Sequence, residues 1–253
     1  MIRTEHKAAV TTLILDRPER RNAMNEAIIR GLHEGITAAA ADAGCRCLVI
    51  RGAGGHFCAG RDISGKVSGQ SLEAYMAFDD LYTGMFEALR CMSKPSVAVV
   101  SGYAVAGGFT LAMGCDFVLA EQNATFGALE MRGGFPAAVN TALLSHLAGP
   151  RLALEFLLSA RTVPATRLFE AGLINRLAAD AQALAEIERD FVAGLLELEP
   201  VAVKLTKETH RATAAMPLGE SLLVAKQLNA LMAASGQIDK AVERFANSKK
   251  TRD

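Results

Sequence analysis

The stretch SGYAVAGGFTLAMGCD, Ser101 to Asp116, follows the apolar run SVAVV, Ser96 to Val100, which Lys94-Pro95 introduces. A β-branched run bounded by proline and glycine reads as a buried strand, and FTLAM beyond the glycines reads as the start of a helix. Working backward, CLVI (Cys47 to Ile50) runs into another glycine-rich segment, Gly52 to Gly60, with a helical pattern from about Ser71 to Cys91 between the two. Two strand-to-glycine junctions, Val49-Ile50-Arg51-Gly52 and Val99-Val100-Ser101-Gly102, therefore lie 50 residues apart and suggest a repeated ββα unit. Earlier still, AVTTLIL (Ala9 to Leu15) stops at Arg17-Pro18, where proline cannot continue a ladder. A helix is predicted over about Asn25 to Ala43, with Ile28, Ile29, Leu32 and Ile36 on one face. Working forward, short strands at Asp116 to Ala120 and Ala124 to Phe126 give way to helical patterns that dominate from Ala137 to Ala234. The expected class is α/β with a mostly helical C-terminal third.

The 253 residues, 51% of them apolar, are enough for a sizeable core, and 27 basic against 27 acidic side chains leave no net charge. A neutral total provides no overall field for nucleic acid or an anionic membrane, and no run approaches 18 apolar residues. Five scattered cysteines (Cys45, Cys47, Cys58, Cys91, Cys115) fit a reduced, cytoplasmic protein. Five isolated histidines and no CxxC or HExxH leave a metal site unexpected.

Glycine turns after strands invite a nucleotide reading, and both templates fail. From Gly52 and Gly54 the sixth position of GxGxxG is Phe57; from Gly102 the third is Ala104; and Gly107-Gly108-Phe109 cannot be a P-loop. What remains is a combination: LDRPERRNAMN (Leu15 to Asn25), GGHFCAGRDIS (Gly54 to Ser64), the Ser101 to Asp116 stretch, FGALEMRGGFP (Phe126 to Pro136) and FEAGLINRL (Phe169 to Leu177). In this order and spacing, over residues 10 to 178, the chain resembles the crotonase superfamily, also called the enoyl-CoA hydratase/isomerase family.

The resemblance implies a crotonase-like spiral of repeated ββα units, a core over 1–195 and a C-terminal helical trimerisation region over 196–253. It implies an acyl-CoA thioester as substrate, with coenzyme A part of that substrate and no separate cofactor. The family's shared chemistry stabilises the negative charge on the thioester oxygen of an enolate through two backbone N–H groups, which carry over to Arg61, after Ala59-Gly60, and Gly107, beside Gly108. Hydratases of the superfamily use two glutamates. One is matched by Glu130 in Phe126-Gly127-Ala128-Leu129-Glu130; the other is replaced by Thr110, which cannot take a proton at neutral pH. One carboxylate suffices to move a double bond, so an enoyl-CoA isomerase with Glu130 as sole acid/base is favoured. A hydratase or related lyase recruiting Glu73, Asp79, Asp80 or Arg132 is the alternative, and a non-catalytic acyl-CoA binder is a third reading. Thr83 stands where the superfamily's dehalogenases carry a histidine.

By the same resemblance, Arg17, Arg20 and the backbone around Ala59, Asp62 and Ile63 face the nucleotide end, with Arg21 and Lys66 nearby, because guanidinium groups suit phosphate geometry. Ser64 to Gln70 (SGKVSGQ) has the composition of a loop at the pocket mouth, and Phe245 or Lys249 in the tail could cap the nucleotide. A homotrimer or dimer of trimers, with no nucleic-acid or membrane partner, completes the expectation.

Overall fold

The computed structural model describes residues 1–64, 69, 71–236, 238 and 242. Lys66, Phe245, Lys249 and most of the Ser64 to Gln70 loop lie outside the described residues. Nine strands are named: β1 (Ile2–Lys7), β2 (Val10–Leu15), β3 (Cys47–Gly52), β4 (Ser96–Val100), β5 (Tyr103–Val105), β6 (Phe117–Glu121), β7 (Thr125–Gly127), β8 (Val163–Pro164) and β9 (Arg176–Ala178). They alternate with α1 (Glu26–Ala41), α2 (Leu72–Cys91), α3 (Gly107–Met113), α4 (Ala138–Leu147), α5 (Gly149–Ser159), α6 (Ala165–Glu170), α7 (Ala181–Glu197), α8 (Pro200–Thr213) and α9 (Leu218–Ala234).

The large sheet has the order β1-β2-β3-β4-β6-β9, parallel throughout except for β1, which pairs antiparallel with β2 at the edge. Its central strands β3 and β4 read as nearly unbroken apolar runs because both faces are covered. Leu48, Ile50, Ala98 and Val100 point into one cluster with α1, α2 and α3, while Cys47, Val49, Val97 and Val99 meet Leu184 and Val192 of α7 on the other. Full burial of one such aliphatic side chain contributes roughly 1.5–3 kcal/mol. A second, three-stranded sheet has the order β5-β7-β8.

Successive turns of chain visit the two sheets alternately. β4 and β6 lie in the large sheet, while β5 and β7, which follow them, pair with each other in the small one. The earlier turns do the same with single bridges: after β2, Met24 bridges Arg61, and after β3, Cys58 bridges Ala104. The two repeats visible in the sequence are thus four, each a long strand, a short second-layer segment and then a helix. The helices start where their caps sit: Asn25 accepts a bond from the Ile28 amide at 3.0 Å, and Ser71 one from Ala74 at 3.2 Å.

Two compact units divide the chain, Met1–Pro200 and Val201–Asp253. Leu218, Leu222, Leu223 and Leu231 of α9 are exposed. Among the described residues no helix is long and apolar enough to cross a membrane, and no group of three or more His, Cys, Asp and Glu is placed to hold a metal.

Candidate active site

The spiral lays the two glycine junctions side by side. Cys58 donates its amide to Tyr103 O at 2.9 Å and accepts the Val105 amide at 3.0 Å, and Met24 donates to Gly60 O at 2.8 Å while accepting from Asp62 N. Gly60 has φ +96°, and a Cβ there would fall 2.8 Å from the Ala106 methyl and 3.1 Å from the Gly107 nitrogen. Any larger residue would force the two loops apart. Two amides at this crossing, Arg61 N–H and Gly107 N–H, are among those with no acceptor among the described residues.

Ala106, the residue before Gly107, is held at φ +50°, ψ −124°, a conformation unfavourable for an L side chain. Its neighbours pin it from both sides. Its amide donates to Gly127 O at 2.7 Å, and its carbonyl accepts from the Thr110 amide at 3.1 Å and from Asn140 Nδ2 at 3.0 Å.

Glu130 opens a short 3-10 turn, Glu130–Gly133, just after β7. The same Asn140 amide donates to Glu130 Oε1 at 2.9 Å, so one buried side chain ties this carboxylate to the backbone that aims Gly107. Glu130 Oε2 is buried without a hydrogen-bond partner among the described residues. Leaving one carboxylate oxygen in that state costs free energy, which sets Glu130 apart from an ordinary surface acid.

Tyr82, on α2, completes this end. Its side chain is buried under the Arg61 guanidinium; burial pushes its phenol up, while Arg61 draws it down. The Cys58 thiol is pushed up to about 12 by burial, against the opposing Gly60 backbone bond, and stays neutral. Of the alternative polar candidates, Asp79 pairs with Arg61 at 2.9 Å, Glu73 is fully exposed near the start of α2, and Asp80 and Arg132 are exposed. His56 stacks on Tyr103, ring centroids 5.0 Å apart, and accepts the Tyr103 amide.

The other end is charged. A cavity of about 350 Å³ is lined by Arg20, Arg21 and Arg61 together with Glu19, Ala23, Asp62, Ile63 and Ser64. Arg17 does not line it: its guanidinium donates to Asp62 Oδ2 at 2.6 Å and to Ala23 O at 3.2 Å, knitting the first two turns together. Arg20 reaches Ser64 Oγ at 2.8 Å. Bonds from the Ser64 hydroxyl and amide, then from Arg17, hold the Asp62 carboxyl well below the usual carboxylate range.

Of the residues singled out in the sequence, the fold therefore brings Arg61, Gly107, Gly108, Gly60, Ala59 and Thr110 to one place and ties Glu130 to it through Asn140. Arg20, Asp62 and Ile63 gather at the cavity, and Arg17 becomes a brace behind it. Tyr82 and Asn140 escaped sequence reading, because each sits in an apolar helix pattern and acquires its contact only in three dimensions.

Residues 5–252 match the family model described as enoyl-CoA hydratase/isomerase. The crotonyl-CoA hydratase of Syntrophomonas wolfei is 34% identical over 82% of this chain and 79% of its own. The 2,3-dehydroadipyl-CoA hydratase of Escherichia coli K12 is 31% identical over 93% of this chain and 91% of its own. Among solved structures, a chain from Thermobifida fusca YX in complex with CoA superimposes with a TM-score of 0.82 at 30% identity, covering 94% of each.

Proposed function

Since the chain belongs to the enoyl-CoA hydratase/isomerase family, we propose that it acts on an unsaturated acyl-CoA and moves the double bond from C3–C4 to C2–C3, with Glu130 as its single acid/base. The observation that carries this reading is the buried, unpartnered Oε2 of Glu130, with Thr110 where a second carboxylate would stand. Glu130 takes a proton from C2, the electron pair spreads to the thioester oxygen as a dienolate, and the same carboxyl returns the proton to C4. The Arg61 and Gly107 N–H groups receive the charge on that oxygen; losing one such donor costs on the order of 3 kcal/mol of transition-state stabilisation. Asn140 keeps Oε1 occupied, leaving Oε2 to carry the proton.

The CoA phosphates are assigned to the cavity of Arg20, Arg21 and Arg61, with backbone around Ala59, Asp62 and Ile63 beside it. The exposed leucines of α9 support a homotrimer or dimer of trimers, and the free thiols fit a cytoplasmic setting.

Hydration of a 2-enoyl-CoA is the second reading, favoured by relatives named as hydratases. The test is to supply 3-enoyl-CoA and 2-enoyl-CoA separately and follow products. Isomerisation of the 3-enoyl substrate in excess of hydration supports the proposal. Hydration without isomerisation replaces it with the second reading, and CoA-thioester binding without turnover marks a non-catalytic binder.

A further inference from the structure

A tyrosine buried in a core usually hides its ring and finds one partner for its hydroxyl. Tyr82 does more. Its ring packs edge-on to Phe86, centroids 5.1 Å apart, and lies under the Arg61 guanidinium at 4.8 Å, so the phenol axis is fixed from two sides. The hydroxyl oxygen ends 2.6 Å from the point a Cβ on Gly107 would occupy, and that same point is 3.4 Å from the Arg61 amide nitrogen. Three donors, two backbone amides and one phenol, thus border a space that only glycine at position 107 leaves open. Thr110, three residues along α3, turns its hydroxyl to Ala106 O at 3.3 Å.

Building on the charge-stabilising role given above to the Arg61 and Gly107 amides, we infer that the Tyr82 hydroxyl is a third hydrogen-bond donor to the thioester oxygen of the bound acyl-CoA. The high pKa that burial imposes keeps the phenol protonated, so it donates without serving as a base. Glu130 retains the proton transfer, and Tyr82 shares the charge that transfer creates.

The test is Tyr82→Phe, which keeps the ring and its contacts with Phe86 and Arg61 and removes one O–H. Isomerisation kcat is expected to fall about 10-fold to 100-fold with KM within about twofold, since a donor engaged mainly in the transition state is lost. The second readout is the carbonyl stretch of enzyme-bound [1-13C]butyryl-CoA, which neither isomerises nor hydrates. In the unmodified protein it shifts to lower frequency on binding, and in Tyr82→Phe it shifts less. Replacing all three tyrosines with 3,5-difluorotyrosine, a stronger donor that preserves the fold, deepens the shift, and the gain disappears when the labelling is done in Tyr82→Phe. A full shift in Tyr82→Phe, or no gain from fluorination, overturns the inference while leaving the two amides in place. No shift in the unmodified protein removes the charge-stabilising site itself, and Tyr82's role with it.

Discussion

The two ends of the site are built from opposite materials. At the proposed reacting end the groups are two backbone amides, a buried phenol and one accepting carboxylate, and their placement is set by the crossing of two loops and the bonds of Asn140. At the other end the working groups are guanidinium side chains around an open cavity, held by Asp62, Asp79 and Ser64. The contrast teaches that position is fixed by fold in the first and by charge in the second. Substitutions should therefore damage rate in one and affinity in the other.

Glu130→Gln is the severest way to test that division. Isomerisation kcat should fall about 10²–10⁴-fold, the usual worth of a general base, with CoA affinity and thermal stability held. A loss confined to a few fold would remove Glu130 from the chemistry. Asn140→Ala comes next: with Oε1 released, kcat should drop about 10-fold to 100-fold while KM stays near its original value, as steady-state kinetics would read it. An equal rise in KM would mean that Asn140 shapes the pocket instead. Arg20→Ala should do the reverse, raising KM about fivefold and flattening its dependence on salt while leaving kcat alone. Combined with Asn140→Ala, the two effects should add in free energy; strong coupling would break the comparison.

The smallest effect belongs to Asp62→Asn. The Asp62 pKa in the folded state lies below the ordinary value of about 3.9, so its contribution to stability is present above that value and disappears as the pH falls through the folded pKa. Melting at pH 7 should come a few degrees earlier in the variant, with the gap closing as the solution is acidified below about pH 4. A gap independent of pH would separate Asp62 from the brace with Arg17.

The contrast also explains what could be read from the chain alone. The meeting of Gly60 with Gly107, and the place of Glu130 after β7, were legible through the motifs that carry the family resemblance. The helices from Glu26, Leu72 and Ala181 were legible through their caps and apolar faces. β1 was not, since IRTEHK is almost wholly exposed on a sheet edge and shows no buried run. β5 was hidden among glycines, its pairing coming from β7 rather than from its own composition. Arg17 was read among the residues facing the nucleotide; its bond to Asp62, 45 residues away, is one that no spacing rule announces. Tyr82 and Asn140 are of the same kind, polar tips on the buried faces of their helices.

Ala106 bears on how such a protein can change. Its backbone stores about 1–3 kcal/mol of strain, which the surrounding bonds hold in place. That energy is a reserve of thermostability left unused: glycine at 106 would release it, raising the melting temperature while loosening the direction of the neighbouring N–H. Heat resistance and turnover would therefore pull this one residue in opposite directions.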